Sequence, residues 1–388
     1  SSRKGVKTDR EGIAPTLRWG IGTSDEFSIG HLYLSTDDVP DFGVPFIGGP
    51  GATTPTRTHI TRRPLDVSAS RFYGTPSDYE RNDTNISTGI WTHRFSSDTE
   101  VRTVLRFADY KRALWATQPT LGTGVNTSTL TDASVIGRRT HARGAHERTV
   151  TLQSDLTTKF EAAGMKHELL VGMELLNEKQ DRWNFVGLTN AQANAIATTV
   201  GNANSDPTLP ATYGNRTRTN LAGYEGDSVG VYAQDQIEFM PKWKLLLGLR
   251  HDRMDADYHS LNSTTLATTA FNLKYSEWSY RSGLLFQPSD VETYYFAWSD
   301  SFNPTADLYQ LNNGIRYDAE RSRTVELGTK WELLDGALSL RTALYRATKF
   351  NERNTDLEQA NTAVLSKERH TDGFEIEAAG RITPQWDV

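Results

Sequence analysis

The 388-residue chain contains no cysteine, which excludes a disulfide framework and a cysteine-ligated metal or iron–sulfur site. It also lacks any run of the roughly 20 apolar residues that a membrane-spanning helix requires, and its mean hydropathy is negative. Basic residues are not in excess. The net charge is -6, whereas a nucleic-acid-binding domain carries a basic surface patch. The composition therefore argues against helical membrane proteins, disulfide-rich domains and nucleic-acid binders.

What the chain does contain is a regular alternation of short and long connections between strand-like segments. The short turns lie at 22–25, 96–98, 163–165, 240–242, 287–290 and 334–336. The long polar connections lie at 41–81, 117–144, 186–226, 258–274, 304–320 and 354–367. Short turns on one side and long loops on the other are typical of an up-and-down barrel in a bacterial outer membrane. The aromatic content of 10% suits the interfacial girdles of such a barrel.

Apolar and polar residues alternate in the segments between these connections. In the clearest one, Val150, Leu152, Leu156 and Phe160 share one face, and polar residues occupy the other. The same period of two predicts about thirteen strands, at 17–23, 27–34, 86–95, 101–110, 150–160, 169–175, 229–239, 243–252, 275–286, 293–302, 325–333, 338–349 and 374–382.

A soluble β-sandwich also alternates, since each of its sheets buries one face. Two features favour a membrane barrel. The predicted inward face repeatedly carries Glu, Gln, Lys and Arg, and several strands reach the ~9–11 residues that a tilted membrane strand needs. Bacterial single-chain barrels have an even number of strands, because an open edge in lipid leaves backbone groups without partners. The odd count therefore leads us to expect that this chain is part of a longer protein.

Several motifs resemble the barrel of TonB-dependent siderophore receptors. They are GVYAQDQI at 230–237 followed by WKLLLGLRHD at 243–252, GLLFQPSD at 283–290 leading to YYFAWSDSFNP at 294–304, ELGTKWELLDG at 326–336, ALYRATKFN at 343–351 and GFEIE at 373–377. Two further runs, DVPDFGVPF at 38–46 and FYGTPSDYER at 72–81, are similar to the catecholate-type subgroup. The resemblance covers nearly the whole chain.

The resemblance implies an all-β fold, an antiparallel up-and-down transmembrane barrel of 22 strands that an N-terminal plug domain fills. Residues 1–388 are then expected to be one partial barrel domain, with about 13 of the strands. The plug, its TonB-contacting segment, the first strands and the last strands have no counterpart in this sequence. The implied function is import of a ferric siderophore, with a catecholate as the expected ligand, across the outer membrane by TonB-coupled transport.

A ferric catecholate is a bulky anion with aromatic rims, so a surface that receives it needs cations and flat aromatic groups together. The long connections and strand ends supply both. The candidate ligand-binding residues are Phe42, Phe46, Arg57, Arg62, Arg63, Phe72, Tyr73, Arg112, Trp115, Arg182 and Trp183. Each could instead be an interfacial anchor or a solvated loop charge. Charges inside the barrel, such as Glu174, Arg250 and Lys330, are expected to pair across the barrel and not to contact the ligand.

No catalytic or metal motif is present. The histidines lack the His-Glu-x-x-His spacing, and there is no Gly-x-Ser-x-Gly elbow. We therefore expect no enzyme activity, no bound cofactor and iron only within the ferric-siderophore ligand. The expected partners are that ligand, TonB, outer-membrane lipid and lipopolysaccharide, with a monomeric receptor and no nucleic acid.

Three other interpretations stay open at this point: a passive porin-like channel, a surface β-structural adhesin and an outer-membrane enzyme. Haem, cobalamin and hydroxamate ligands also stay open, because loop composition does not fix ligand chemistry.

Overall fold

The protein is nearly all strand in a computed structural model that describes residues 3–49, 63–122, 124–203, 217–262, 264–304, 318–353, 364–383 and 385–387. The strands are β1 (Arg10–Ile13), β2 (Thr16–Trp19), β3 (Asp25–Asp38), β4 (Phe46–Ile47), β5 (Arg63–Pro64), β6 (Tyr79–Arg94), β7 (Thr99–Leu121), β8 (Val135–Ala162), β9 (Met165–Phe185), β10 (Thr198–Thr199), β11 (Arg218–Met240), β12 (Trp243–Leu261), β13 (Thr268–Ser289), β14 (Glu292–Asn303), β15 (Glu320–Leu333), β16 (Leu338–Arg353), β17 (Val364–Thr383) and β18 (Trp386–Asp387). One short helix, α1 (Asn190–Ala195), follows β9.

The strands form one antiparallel meander. Its order is β1-β3-β6-β7-β8-β9-β11-β12-β13-β14-β15-β16-β17-β18, while β2 pairs with β3 and β10 pairs with β8. The separate pair β4–β5 lies in the connection between β3 and β6. Strands that follow one another in the chain are therefore neighbours in the sheet, as the alternation of turns predicts. Each of the thirteen predicted strands has a counterpart, namely β2, β3, β6 to β9 and β11 to β17.

Several strands extend well beyond their predicted ends. The predicted connection 117–144 is largely strand, because β7 and β8 pair without a break from Thr99↔Thr158 to Leu121↔Ile136. The predicted connection 258–274 shrinks to 262–267 between β12 and β13. The alternation of apolar and polar residues is lost in these outer portions, because neither face of the sheet meets lipid there. The predicted boundaries mark where the apolar face ends and not where the hydrogen bonds end.

The apolar face of the sheet points away from the barrel interior and is exposed. Val171 has 42% of its surface exposed and Val231 has 48%. Apolar side chains at such exposure are unfavourable in water, and they are favourable when the surrounding medium is hydrocarbon. Among the described residues, no helix is both long and apolar enough to cross a membrane.

Aromatic side chains collect at the end of the sheet that carries the short turns. Trp243 stacks on Phe286 with ring centroids 4.6 Å apart, and Tyr294 lies between Phe286 and Trp331 at 6.3 and 6.2 Å. Further along the strands, Trp278 contacts His251 at 4.7 Å. Aromatic rings at both borders of an apolar band are the interfacial girdles of a membrane barrel.

The opposite face of the sheet carries a polar network. Arg250 donates to both carboxylate oxygens of Asp252, at 2.7 to 2.9 Å, and lies 3.4 Å from Glu174. Tyr232 donates to Asp155 and lies across Gly172, where a Cβ atom would be only 2.4 Å from its ring. Lys330 lies 5.6 Å from the ring centroid of Tyr295. Arg250 and Glu174 thus pair with each other, but along one wall of the barrel and not across it as predicted.

A matched pair of substitutions in β9 tests which face meets lipid. We expect Val171→Arg to lower the free energy of unfolding by about 2–4 kcal/mol, the range for a cation on the lipid face near the bilayer midplane. Leu170→Arg is the control, because Leu170 is equally apolar but lines the interior wall. Urea titration of the protein in lipid bilayers measures both variants. An equal loss of stability in the two variants would contradict the assignment of faces.

Candidate functional site

The long connections gather at the end of the sheet opposite to the short turns, which we call the outer end. Three arginines lie there on the interior face of three adjacent strands: Arg112 in β7, Arg143 in β8 and Arg182 in β9. Arg112 pairs with Ala145, and Ala145 pairs with Arg182. Because neighbouring strands lie 4.7–4.9 Å apart, the backbones of Arg112 and Arg182 are about 10 Å apart. The three side chains line a cavity of about 660 Å³ together with Tyr258.

The three arginines differ in how far their charge is compensated. Arg112 forms an ion pair with Glu80 at 2.5 Å, and Arg182 lies 3.5 Å from the Tyr258 hydroxyl. Arg143 is exposed and has no ion-pair partner among the described residues. Within the described part of the chain, the cavity therefore has at least one cation, Arg143, whose charge no neighbouring carboxylate neutralises.

An aromatic contact lies on the same face beside these cations. Phe42, from the connection after β3, stacks on His141 with ring centroids 5.2 Å apart and planes 19° apart. His141 also lies 2.7 Å from Gln118. It is two residues from Arg143, so both side chains point to the interior face of β8. Phe42, His141 and Arg143 together offer the flat rings and the positive charge that an aromatic anion requires.

The predicted tryptophans lie on the other face of the sheet. Trp115 is 1% exposed and packs against Tyr79 and Ile196. Trp183 is buried against Gly144, and the guanidinium of Arg218 lies 3.8 Å from the centroid of its ring. Both lie at odd-numbered positions, as do the lipid-facing apolar residues of β7 and β9. Trp115 therefore stabilises the outer end and does not line the arginine cavity, whereas Trp183 also borders that cavity.

The predicted residues of the connection between β3 and β6 separate into two groups. Phe72 and Tyr73 are buried, Tyr73 at 1% exposure in a cluster with Ile47, Leu65, Ile136 and Val200. Phe46, 55% exposed, and Arg63, also exposed, lie in the pair β4–β5. Arg57 and Arg62 lie outside the described residues. Of the predicted set, Arg112, Arg182 and Trp183 line one cavity, and Phe42 stacks on His141, two residues from Arg143. A ligand role for the set stays a prediction.

Sequence reasoning missed Arg143, His141 and Tyr258. A signal for the first two is present, since Arg139, His141 and Arg143 alternate along the chain. It does not by itself predict a strand, because the segment 117–144 has no continuous apolar face opposite these residues.

A buried carboxylate holds the outer end together. Asp78 accepts hydrogen bonds from the hydroxyl groups of Thr75 and Thr117, both at 2.8 Å, and from their backbone N–H groups at 3.2 and 3.0 Å. Burial raises the pKa of the Asp78 carboxyl, and the four hydrogen bonds oppose that change. Asp78 therefore joins the connection before β6 to the outer end of β7.

No group of three or more His, Cys, Asp or Glu side chains in the described part of the chain could hold a metal ion. The described residues thus offer the chemistry of an anion-binding surface, built from guanidinium groups and rings.

The chain matches the protein family described as TonB dependent receptor-like, beta-barrel, over residues 18–388. It is similar to the probable TonB-dependent siderophore receptor PiuA of Acinetobacter baumannii, with 26% identity over 405 residues, covering 99% of this chain and 52% of that protein. It is also similar to the catecholate siderophore receptor Fiu of Escherichia coli, with 26% identity over 423 residues, covering 100% of this chain and 54% of that protein. The chain thus spans about half the length of these curated relatives.

Solved structures show the same fold. The closed form of the ferric-catecholate import receptor Fiu from Escherichia coli aligns with a TM-score of 0.82 at 24% identity, covering 100% of this chain and 57% of that chain. The siderophore receptor PiuA from Acinetobacter baumannii aligns with a TM-score of 0.79 at 24% identity, covering 99% of this chain and 56% of that chain. The predicted fold class, an antiparallel receptor barrel, is confirmed.

The Asp78 contacts predict a pH dependence of the outer end. The folded-state pKa of Asp78 lies above its unfolded value, so the folded protein binds the proton more tightly. The stability that protonation contributes is fully present below the unfolded pKa and is lost as the pH rises through the folded pKa. We expect hydrogen-exchange protection of the Thr117 amide, corrected for the intrinsic rate, to fall across that window.

Two variants separate the charge of Asp78 from its hydrogen bonds. Asp78→Asn keeps the acceptor oxygen and is expected to make the protection independent of pH. Asp78→Ala leaves buried N–H groups without an acceptor and is expected to lose about 1–3 kcal/mol of local stability at every pH. An unchanged pH dependence in Asp78→Asn would assign the effect to another group.

Proposed function

This chain belongs to the TonB-dependent receptor β-barrel family, and from that membership we propose that the protein imports a ferric siderophore by TonB-coupled transport. The family is one of receptors and transporters, and its barrels lie in the bacterial outer membrane. The short turns then face the periplasm and the outer end faces the exterior. In this orientation the arginine cavity lies at the end of the barrel through which a ligand enters.

The proposed ligand is a ferric catecholate. The observation that carries this proposal is the position of Arg112, Arg143 and Arg182 on one interior surface, beside the stacked rings of Phe42 and His141. A ferric catecholate combines net negative charge with flat aromatic rims, so it complements both features. The names of the relatives PiuA and Fiu, a siderophore receptor and a catecholate siderophore receptor, point in the same direction.

The proposed domain organisation is that of a barrel domain within a longer receptor. Residues 1–388 then form a single partial barrel, which an N-terminal plug and further strands complete. The relatives support this proposal, since the chain covers 52% and 54% of their lengths. TonB would contact the plug and not the strands described above. The polar wall around Arg250 and Glu174 would face that plug.

The remaining parts of the proposal concern what else the receptor binds. Iron is cargo, carried within the siderophore, and the protein has no resident cofactor and no enzymatic activity. Outer-membrane lipid and lipopolysaccharide surround the apolar band, and the receptor acts as a monomer. A passive porin-like channel differs from this proposal in one measurable respect, because it would conduct ions as a full-length protein without TonB.

Replacement of Arg143 tests the proposed ligand surface. We expect Arg143→Gln to weaken binding of the iron(III)–catechol complex to the full-length protein by about 10- to 100-fold, the effect of removing a hydrogen bond to a charged group. Arg143 is the most informative position to replace. It forms no ion pair among the described residues, so its removal leaves no carboxylate unpaired. Tryptophan fluorescence quenching measures the affinity.

The matched control is Arg148→Gln in the same strand. Arg148 is also exposed, but it lies on the outward face, since its position differs from that of Arg143 by an odd number of residues. We expect its affinity to equal that of the wild type. Equal weakening in both variants would indicate a general charge effect, and an unchanged affinity of Arg143→Gln would remove the cavity from the ligand site.

A further inference from the structure

Beyond the barrel, β7 and β8 continue as a two-stranded ribbon. The pairing of β6 with β7 ends at Tyr79↔Trp115, and that of β9 with β8 ends at Arg143↔Asn184. Residues 116–121 and 135–142, here called the outer ribbon, pair with each other from Ala116↔His141 to Leu121↔Ile136. A two-stranded ribbon is marginally stable on its own. Contacts from elsewhere must therefore hold it in place.

Each edge of the outer ribbon has a hydrogen-bonding partner from another segment. On the β7 edge, Asp78 accepts the backbone N–H of Thr117 at 3.0 Å. On the β8 edge, β10 adds a short strand through the pairs Thr198↔Ile136 and Thr199↔Val135. Covering an edge in this way satisfies backbone groups that would otherwise have no partner.

One buried guanidinium joins the ribbon to two other segments. Arg138 is 2% exposed and donates from Nε to the carbonyl of Tyr73 at 2.8 Å and from Nη1 to the carbonyl of Ile196 at 2.7 Å. Tyr73 in turn donates its hydroxyl to the carbonyl of Val200 at 2.9 Å. The connections before β6 and after β9 are thereby attached to the same face of β8.

The opposite face of the ribbon carries the candidate ligand residues. Arg139, His141 and Arg143 lie at odd-numbered positions of β8, whereas Arg138 lies at an even-numbered one. Their side chains therefore point away from the buried side and towards the interior. The register between β7 and β8 is unbroken along this length, which fixes the two faces. Two adjacent arginines therefore have different environments: Arg138 is buried, and Arg139 is exposed.

We propose that Arg138 is a positioning residue, which holds the outer ribbon so that Arg139, His141 and Arg143 are presented to the ligand as one rigid surface. This inference takes the identity of the ligand from the proposed function. The claim that Arg138 keeps the ribbon ordered is independent of that function. A surface already held in its binding geometry loses less conformational entropy when the ligand binds. Arg138 thus acts on affinity through its neighbours without contacting the ligand.

The first experiment measures the ribbon in the ligand-free, full-length protein. We expect Arg138→Met to increase hydrogen exchange of the amides of residues 135–141 and 117–121, other than Pro119, by about 10- to 100-fold, because two carbonyls lose their donor. Exchange in β12 is expected to stay unchanged, which shows that the barrel is folded. Arg139→Met, the matched control at the adjacent position, is expected to leave exchange as in the wild type. Unchanged ribbon exchange in Arg138→Met would overturn the proposal.

The second experiment asks whether Arg138 acts through position alone. Directly paired residues lie about 4.5–5.5 Å apart, within the span of a disulfide, so Val135→Cys with Thr199→Cys can lock β10 to the ribbon. The chain contains no other cysteine. We expect Arg138→Met to weaken binding of the iron(III)–catechol complex about 10-fold and the oxidised lock to restore it, while the same protein after reduction stays weak. This expected effect corresponds to the charged hydrogen bonds that are lost.

The outcomes distinguish the two proposals. Weak binding that the lock does not restore, although it restores ribbon protection, would show that Arg138 contacts the ligand and would overturn the positioning role. Absence of binding to the wild type would overturn the proposed function, whereas the exchange experiment would still support or overturn the role of Arg138 in holding the ribbon.

Discussion

Backbone hydrogen bonding in a medium without water is the constraint on which this structure depends. Within hydrocarbon, every N–H and C=O group must find a partner inside the protein. An antiparallel meander meets this requirement, because each strand satisfies one edge of each of its neighbours. The connections on one side can then be short. The alternation of side chains follows directly, with an apolar face towards lipid and a polar face, including Arg250 and Glu174, towards the interior.

Where the strands leave the lipid, the same requirement is met by different means. Beyond Trp115 and Arg143 the neighbouring strands depart, and the outer ribbon is left with two unpaired edges. The Asp78 carboxylate and the two-residue strand β10 supply partners to these edges, and the buried guanidinium of Arg138 attaches neighbouring connections to the face of the ribbon. The connections before β6 and after β9 are held against the ribbon as a result. The interior face of this assembly is where the cations and rings of the candidate site lie.

Arg138 is buried and Arg139 is exposed, and this difference could not be predicted from the sequence. Strand existence and order followed from the alternation of apolar residues, which lipid imposes on one face. The outer ribbon has no lipid on either face, so its strands carry no such pattern and the sequence predicts a connection there. For the same reason the sequence predicts Trp115 beside Arg112, although an odd sequence separation within the strand places it on the opposite face. Phe72 and Tyr73 have the composition of a ligand surface, but their burial depends on segments far away in the chain.

The sequence by itself determined the fold class, the order of the strands, the orientation of short and long connections and the family, because these features depend on local periodicity and on motifs within single hairpins. Only the tertiary structure decided which basic and aromatic residues share a surface. Arg112, Arg143 and Arg182 meet through cross-strand register, and Phe42 reaches His141 across a distance of about a hundred residues in sequence. Register and long-range packing are set by the hydrogen-bonded sheet as a whole, and no local pattern in the chain encodes them.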